Sequence, residues 1–182
     1  MNREEFEDVW KKVETDYSSG SISSEHTLQC SLYFHLRASN DARRIFVEST
    51  IHLNGRQIKP DLMLCDDSKI HSIWELKFVP HGYVRHEGDI GKFKQLSDSI
   101  GSKYALEIDP LSGKSTDRDF QLTEQTIFVF AAVSQHDSVA LDEGAVKGLL
   151  GIGQDTSLPF AHLAGSVNGR KVEFRVRYFE RE

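Results

Sequence analysis

An α/β fold, a central mixed β-sheet with helices packed on it, is what the chain predicts, and three observations predict it. Apolar residues recur at helical spacing in residues 3–17, 25–37 and 89–100. Two Asn-Gly dipeptides each join β-rich runs, and one continuous apolar run, TIFVFAAV at 126–133, reads as a buried central strand. The element order is helix, helix, three strands, helix, strand, helix, hairpin. A meander followed by a crossover helix and another strand makes a mixed sheet flanked by helices, with a C-terminal β-hairpin closing it.

Residues 3–17 place Phe6, Val9, Trp10 and Val13 on one helical stripe. After the hinge SSGSISS, Ser23 or Ser24 is the natural N-cap of a second helix, EHTLQCSLYFHLR, which stops near the polar cluster Ala38 to Asp41. Glu25, Leu28, Leu32 and His35 or Leu36 share one face of it, so Glu25 opens the apolar stripe and is expected to point inward. RRIFVESTIHL and RQIKPDLMLC flank Asn54-Gly55, the dipeptide best suited to a type I′ turn, and Asp66-Asp67-Ser68 turns the chain into KIHSIWELKF. Together they read as a three-strand antiparallel meander over 44–78. In its third strand Ser72, Trp74, Leu76 and Phe78 point one way, and His71, Ile73, Glu75 and Lys77 the other.

A third helix, DIGKFKQLSDSI, reads as capped by Asp89 and ended by Gly101, with Ile90, Phe93, Leu96 and Ile100 buried. KYALEID is compatible with helix or strand, DPLSGKSTDRDFQLTEQ reads as a long polar loop, and LDEGAVKGLL as a helix. FAHLAGSV and RKVEFRVRYF flank Asn168-Gly169 and form the closing hairpin.

A chain of 182 residues has the size of one domain: an N-terminal helix over 1–20, a catalytic core over 21–135, and a C-terminal helix and hairpin over 136–182. Apolar residues at 38% and charged residues at 27% make it globular rather than disordered. The opening MNREEFEDVWKKVETDY is acidic and amphipathic without the apolar centre of a signal peptide, and no segment reaches membrane-span length, so a cytoplasmic protein with no membrane partner is expected. Cys30 and Cys65 make neither a disulfide framework nor a zinc site and read as two buried thiols. The histidines lack a zinc-ligand spacing, and Gly151-Ile152-Gly153 reads as a loop rather than a dinucleotide site. A net charge of −6 argues against nucleic acid as a partner of the average surface, since phosphate binding usually shows as a basic excess. A local basic cleft is compatible with that charge, and metal-binding carboxylates add to it.

The informative stretch is IKPDLMLCDDSKIHSIWELKF, residues 58–78. Charged residues inside apolar strands are costly unless they are paired or bind a cation. Asp61 and Glu75 sit on adjacent predicted strands and supply the one or two carboxylates that magnesium takes, with a neighbouring carbonyl, that of Leu76, as a further oxygen ligand. Lys77 shares a face with Glu75, where an ammonium group orients a nucleophile and stabilises charge developing on a phosphate. Glu25, facing inward, suits a second metal or the orientation of water. Arg85, His86, Lys92 and Lys94 follow the site strand and make a phosphate-contact edge. Each has an ordinary reading too: Pro60-Asp61 as an edge-strand bend, Glu75 and Lys77 on a solvated sheet face, the basic residues as a wet helix surface. Their combination points to phosphodiester hydrolysis.

Pro60-Asp61, thirteen residues, then Glu75-Leu76-Lys77 after an apolar strand resembles the signature of the PD-(D/E)XK nuclease superfamily, the restriction-endonuclease-like fold. Glu25 matches the helical carboxylate that many members place before the meander, and the resemblance covers 21–135. It implies a nuclease that cuts DNA with Mg²⁺ or Mn²⁺, an endonuclease rather than an exonuclease, with Glu25, Asp61, Glu75 and Lys77 as its catalytic set and Glu25, Asp61 and Glu75 as metal ligands. Branches with a Gln-x-x-x-Tyr motif on the following helix lend Gln95 a role beside Arg85, Lys92 and Lys94 in nucleic-acid binding, although Ser99 stands where that motif has tyrosine. One site per chain would favour a homodimer for cutting both strands of a duplex. The alternative is a non-catalytic nucleic-acid- or protein-binding module on the same fold.

Overall fold

A computed structural model describes residues 1–39, 42–53, 55–84, 87–107, 111, 114, 116, 118–135, 144, 148, 159–169 and 171–179. Helix α1 (Arg3–Ser18) starts in a reciprocal cap: the Asn2 side chain accepts from the Glu5 N–H at 3.0 Å, and the Glu5 carboxylate accepts from the Asn2 N–H at 2.7 Å. It buries Phe6, Val9, Trp10 and Val13, the stripe its spacing predicts. Helix α2 (Glu25–Ser39) follows Ser24, whose hydroxyl accepts from the Thr27 N–H at 3.2 Å, and buries Leu28, Gln29, Leu32 and Leu36.

The strands are β1 (Arg44–Val47), β2 (Ile51–Leu53), β3 (Arg56–Ile58), β4 (Leu62–Asp66), β5 (Lys69–Val79), β6 (Lys103–Ala105), β7 (Asp119–Gln135), β8 (Phe160–Asn168) and β9 (Lys171–Phe179); helix α3 (Glu87–Ser97) lies between β5 and β6. One seven-stranded sheet runs β1-β4-β5-β7-β8-β9, with β6 joined to β7. Strands β5 and β8 run parallel to β7, and the other pairs are antiparallel. β7 is central, and Ile127 to Val133 are buried because helices cover both faces. Phe6, Trp10, Leu28 and Leu32 pack with Leu62, Trp74, Leu76 and Val129 on one face. Ile90, Phe93 and Leu96 of α3 pack with Met63, Ile73, Phe128 and Phe160 on the other.

The structure corrects the meander. Each of its first two expected strands breaks in two: β1 pairs directly with β4, and the residues between them form a β2–β3 hairpin outside the main sheet. Pro60 has no N–H to give a ladder, and Glu48 turns the chain at a left-handed φ of 49°, so neither run can pair without a break. The turn at Gly55 therefore closes the side hairpin; Asn54 lies outside the described residues.

Other boundaries move for similar tertiary reasons. Helix α3 begins at Glu87, so Asp89 sits inside its first turn, buried, rather than capping it. The supposed polar loop ends in strand: Asp119 to Gln125 belong to β7, where Phe120 and Leu122 are buried and β6, from the ambiguous KYALEID, pairs alongside. Cys65 is buried as expected, whereas Cys30 is exposed because it sits on the outer side of α2. The helix expected at 141–150 lies outside the described residues except for Gly144 and Gly148, which are helical, and Gly151 to Gly153 lie outside them altogether. No helix among the described residues is long and apolar enough to cross a membrane.

Phe93 is fully buried, with its ring 5.3 Å from that of Phe128 and 6.3 Å from that of Phe160. Phe93→Ala is expected to cost about 3–5 kcal/mol of unfolding free energy by urea denaturation. Phe34→Ala, at a ring that is 65% exposed, should stay within about 0.5 kcal/mol. Similar costs for the two would overturn the packing of α3 on the sheet.

Candidate active site

The ladder between β4 and β5 ends at Leu62 opposite Trp74, after which the Asp61 N–H donates to the Trp74 carbonyl at 3.0 Å. β5 runs on to Val79, held on its other side by β7 with Glu75 opposite Phe130 and Lys77 opposite Ala132. Its open edge carries backbone groups with no strand to receive them. Asp61 Oδ2 accepts from the Leu76 N–H at 2.6 Å, and Glu25 Oε2 accepts from the Phe78 N–H at 3.3 Å. Two carboxylates thus finish the edge that a strand would have covered. The Leu76 carbonyl leaves on the same edge as its N–H.

Asp61 is set in place through its backbone. Its carbonyl accepts from Gln29 Nε2 and from the Glu48 N–H, both at 3.0 Å. Glu48 adopts its left-handed backbone here, an arrangement that costs a non-glycine residue about 1–2 kcal/mol, and its carboxylate accepts from Lys59 Nζ at 2.5 Å. Glu25, His26, Gln29, Glu48, Asp61 and Leu76 line a cleft of about 270 Å³.

Glu75 and Lys77 lie on the α3 side of β5, as strand alternation predicts. Glu75 is 1% exposed; its Oε2 accepts from Lys92 Nζ at 2.5 Å, and its Oε1 is buried with no hydrogen-bond partner among the described residues. Asp89 completes the network, with Oδ2 3.2 Å from Lys77 Nζ and Oδ1 3.5 Å from Lys92 Nζ. Burial pushes the Glu75 carboxyl up to about 8, against the pull of Lys92 and helped by the Asp61 and Asp89 charges. Burial also raises Asp61, against the Leu76 N–H bond that holds it down. Burial works to lower Lys92, but its hydrogen bond and charge contact with Glu75 win and leave it above its ordinary value.

Asp61, Glu75 and Lys77 therefore come together at one sheet edge. Glu25 is exposed rather than inward, a correction to its expected burial, yet its carboxylate reaches the same edge because α2 starts beside Phe78. Lys92 is drawn into the site by Glu75 and Asp89 instead of lying on the helix surface. Lys94 is exposed on α3, and Gln95 donates to the Gly91 carbonyl at 3.3 Å and lines a separate cleft with Leu53, Arg56 and Asp98. Arg85 and His86 lie outside the described residues. Ser99 is buried against the Tyr104 hydroxyl at 2.7 Å, a core contact. The sequence reading missed Gln29, Glu48 and Asp89 as site residues. Gln29 had a legible signal, four residues past Glu25 on the buried face; Glu48 had none, and Asp89 imitates a cap.

These groups suit a hard divalent cation. Among the described residues no three His, Cys, Asp or Glu side chains converge closely enough to hold a metal unaided. Magnesium does not require that, since it takes one or two carboxylates and fills its remaining positions with water and substrate oxygens. Asp61, Glu75 with an oxygen unpartnered among the described residues, and the Leu76 carbonyl are the groups that could supply such donors.

Glu75 has an ordinary value of 4.5 and a folded value of about 8. Between these the folded chain binds a proton that the unfolded chain lacks, so the stability this proton confers falls as pH rises through the window. Wild type is expected to lose unfolding free energy relative to Glu75→Gln between about pH 5 and pH 8 in urea titrations. Parallel curves for the two proteins would overturn the raised value.

No family model, characterised protein or solved structure gives a significant match to this chain, and its site geometry is the ground for a functional reading.

Proposed function

We propose that this protein is a metal-dependent nuclease of the restriction-endonuclease-like fold that hydrolyses phosphodiester bonds in DNA by internal cleavage. The observation that carries the reading is the open edge of β5, where Asp61 and Glu75, the latter with a buried oxygen that lacks a partner among the described residues, meet the Lys77 and Lys92 ammoniums. A Mg²⁺ or Mn²⁺ ion held by Asp61, Glu75 and the Leu76 carbonyl would supply neutralisation of phosphate charge and acidity for a water.

The chain's own residues supply the rest. Lys77 offers ammonium donors to a phosphate oxygen from a strand held on both its flanking rungs by β7. Lys92 is a second ammonium, one helical turn beyond Asp89, placed to meet charge that develops beside Glu75. Glu25, fixed to the Phe78 N–H at the mouth of the cleft, is positioned to accept a proton from water or to orient it. The sheet edge and α3 together keep the carboxylates partly dry, which strengthens each of these charge interactions.

Two observations favour the non-catalytic alternative: both lysines already have acidic partners, and no three ligands converge among the described residues. The two readings separate in one assay on plasmid and single-stranded DNA with Mg²⁺, Mn²⁺ or EDTA. The nuclease reading expects metal-dependent nicking that Lys77→Ala slows by about 10²–10³-fold. Divalent-metal binding, measured by calorimetry, should disappear in the Asp61→Ala, Glu75→Ala double variant. Cleavage that persists in EDTA or is unchanged in Lys77→Ala would sink the assignment; DNA binding without cleavage, insensitive to metal, would establish the binding module.

A further inference from the structure

Asp89 belongs to no motif, and its position three residues into α3 disguises it as a helix-end acid. Its side chain is 11% exposed and faces the site, not solvent. Each of its two oxygens faces a different lysine, Lys77 from the strand at 3.2 Å and Lys92 from the same helix at 3.5 Å. Lys92 continues to Glu75 at 2.5 Å, so Glu75, Lys92, Asp89 and Lys77 form a chain of alternating acidic and basic side chains across the gap between β5 and α3.

That chain solves a problem the site creates for itself. Lys77 is a long, mobile side chain beside Asp61 and Glu75, and an ammonium left free there would be drawn onto the very carboxylates needed for a cation. A fixed anion on α3 gives Lys77 another partner and a defined direction. It also offers Lys92 an acceptor close by when Glu75 is taken up by something else.

We propose that Asp89 is a positioning residue: it holds the Lys77 ammonium in its working place and gives Lys92 an alternative partner to Glu75. What Lys77 works on rests on the nuclease reading; that Asp89 immobilises it does not. The distance from Asp89 to the strand is set by Ile90 and Phe93, which follow it on α3 and are fully buried, so the carboxylate is presented by a rigid element.

The test uses the full chain labelled with ¹⁵N-lysine. Ammonium ¹H–¹⁵N spectra at neutral pH, assigned with Lys77→Arg and Lys92→Arg, report how fast each ammonium exchanges its protons. Wild type should show a slowly exchanging Lys77 signal; Asp89→Asn, close in shape, should speed that exchange about tenfold or more, and Asp89→Glu should largely restore it. In the DNA cleavage assay Asp89→Asn should lower kcat by about 10- to 100-fold with KM changed less than about twofold, and Asp89→Glu should recover most of it. A helix-stabilising acid alone would shift the melting temperature without moving the exchange rate or the kcat-to-KM split. The proposal is overturned if wild-type Lys77 exchanges as fast as a surface lysine, if Asp89→Asn leaves its exchange unchanged, or if kcat of Asp89→Asn matches wild type. If wild type cuts no DNA, the nuclease reading falls, while the exchange rates still decide whether Asp89 holds Lys77.

Discussion

The last rung between β4 and β5, Leu62 opposite Trp74, governs the geometry of the site, because beyond it the β5 backbone presents N–H and C=O groups that no strand receives. A buried or half-buried edge of that kind demands acceptors. Asp61 and Glu25 meet the demand at Leu76 and Phe78, and in doing so they bring two acidic side chains from distant parts of the chain to one place. The site is a consequence of the sheet parting. Pro60 contributes to it directly, since it denies the residue before Asp61 a ladder hydrogen bond and lets the incoming chain swing away toward Glu48 and the side hairpin.

Charge balance is the second constraint. Glu75 lies on a strand buried between layers, and an isolated carboxylate there would be strongly disfavoured. Lys92 answers one of its oxygens, and Asp89 then stabilises Lys92 and Lys77 together, so that two carboxyl groups and two ammoniums alternate. The balance is incomplete: Glu75 Oε1 stays unpartnered among the described residues, and its carboxyl holds its proton to about 8. Burial disfavours the ionised form, and this is what raises the proton affinity of the Glu75 carboxyl.

Packing makes this arrangement rigid. Trp74 and Leu76 alternate with Glu75 along β5 and lock into the layer of Phe6, Leu28 and Leu32, while Ile73 on the other face meets the α3 side chains. Each charged group is therefore flanked by neighbours it cannot move without opening the core. Gln29 shows the same economy: it is a buried polar residue on an apolar helix face, and its amide is satisfied by the Asp61 carbonyl, so α2 positions the site while it closes one layer.

Much of this was readable from local pattern. The α1 stripe, the Ser24 cap, the buried run from Ile127 to Val133 and the closing hairpin depend on periodicity and turn chemistry within a dozen residues, and all appear as expected. Asp61, Glu75 and Lys77 could be paired from their strand positions alone. Strand β4 leaving β5, the side hairpin, and the contacts that bring Glu48 and Asp89 to the site could not, because they arise from residues far apart in the chain. Taken by itself, the sequence determined which faces would be buried and which three residues belonged together, since both are set by side-chain alternation. Only the tertiary structure decided how their charges are balanced, since a carboxylate buried in a layered sheet takes its partners from whichever elements the packing brings within hydrogen-bond reach.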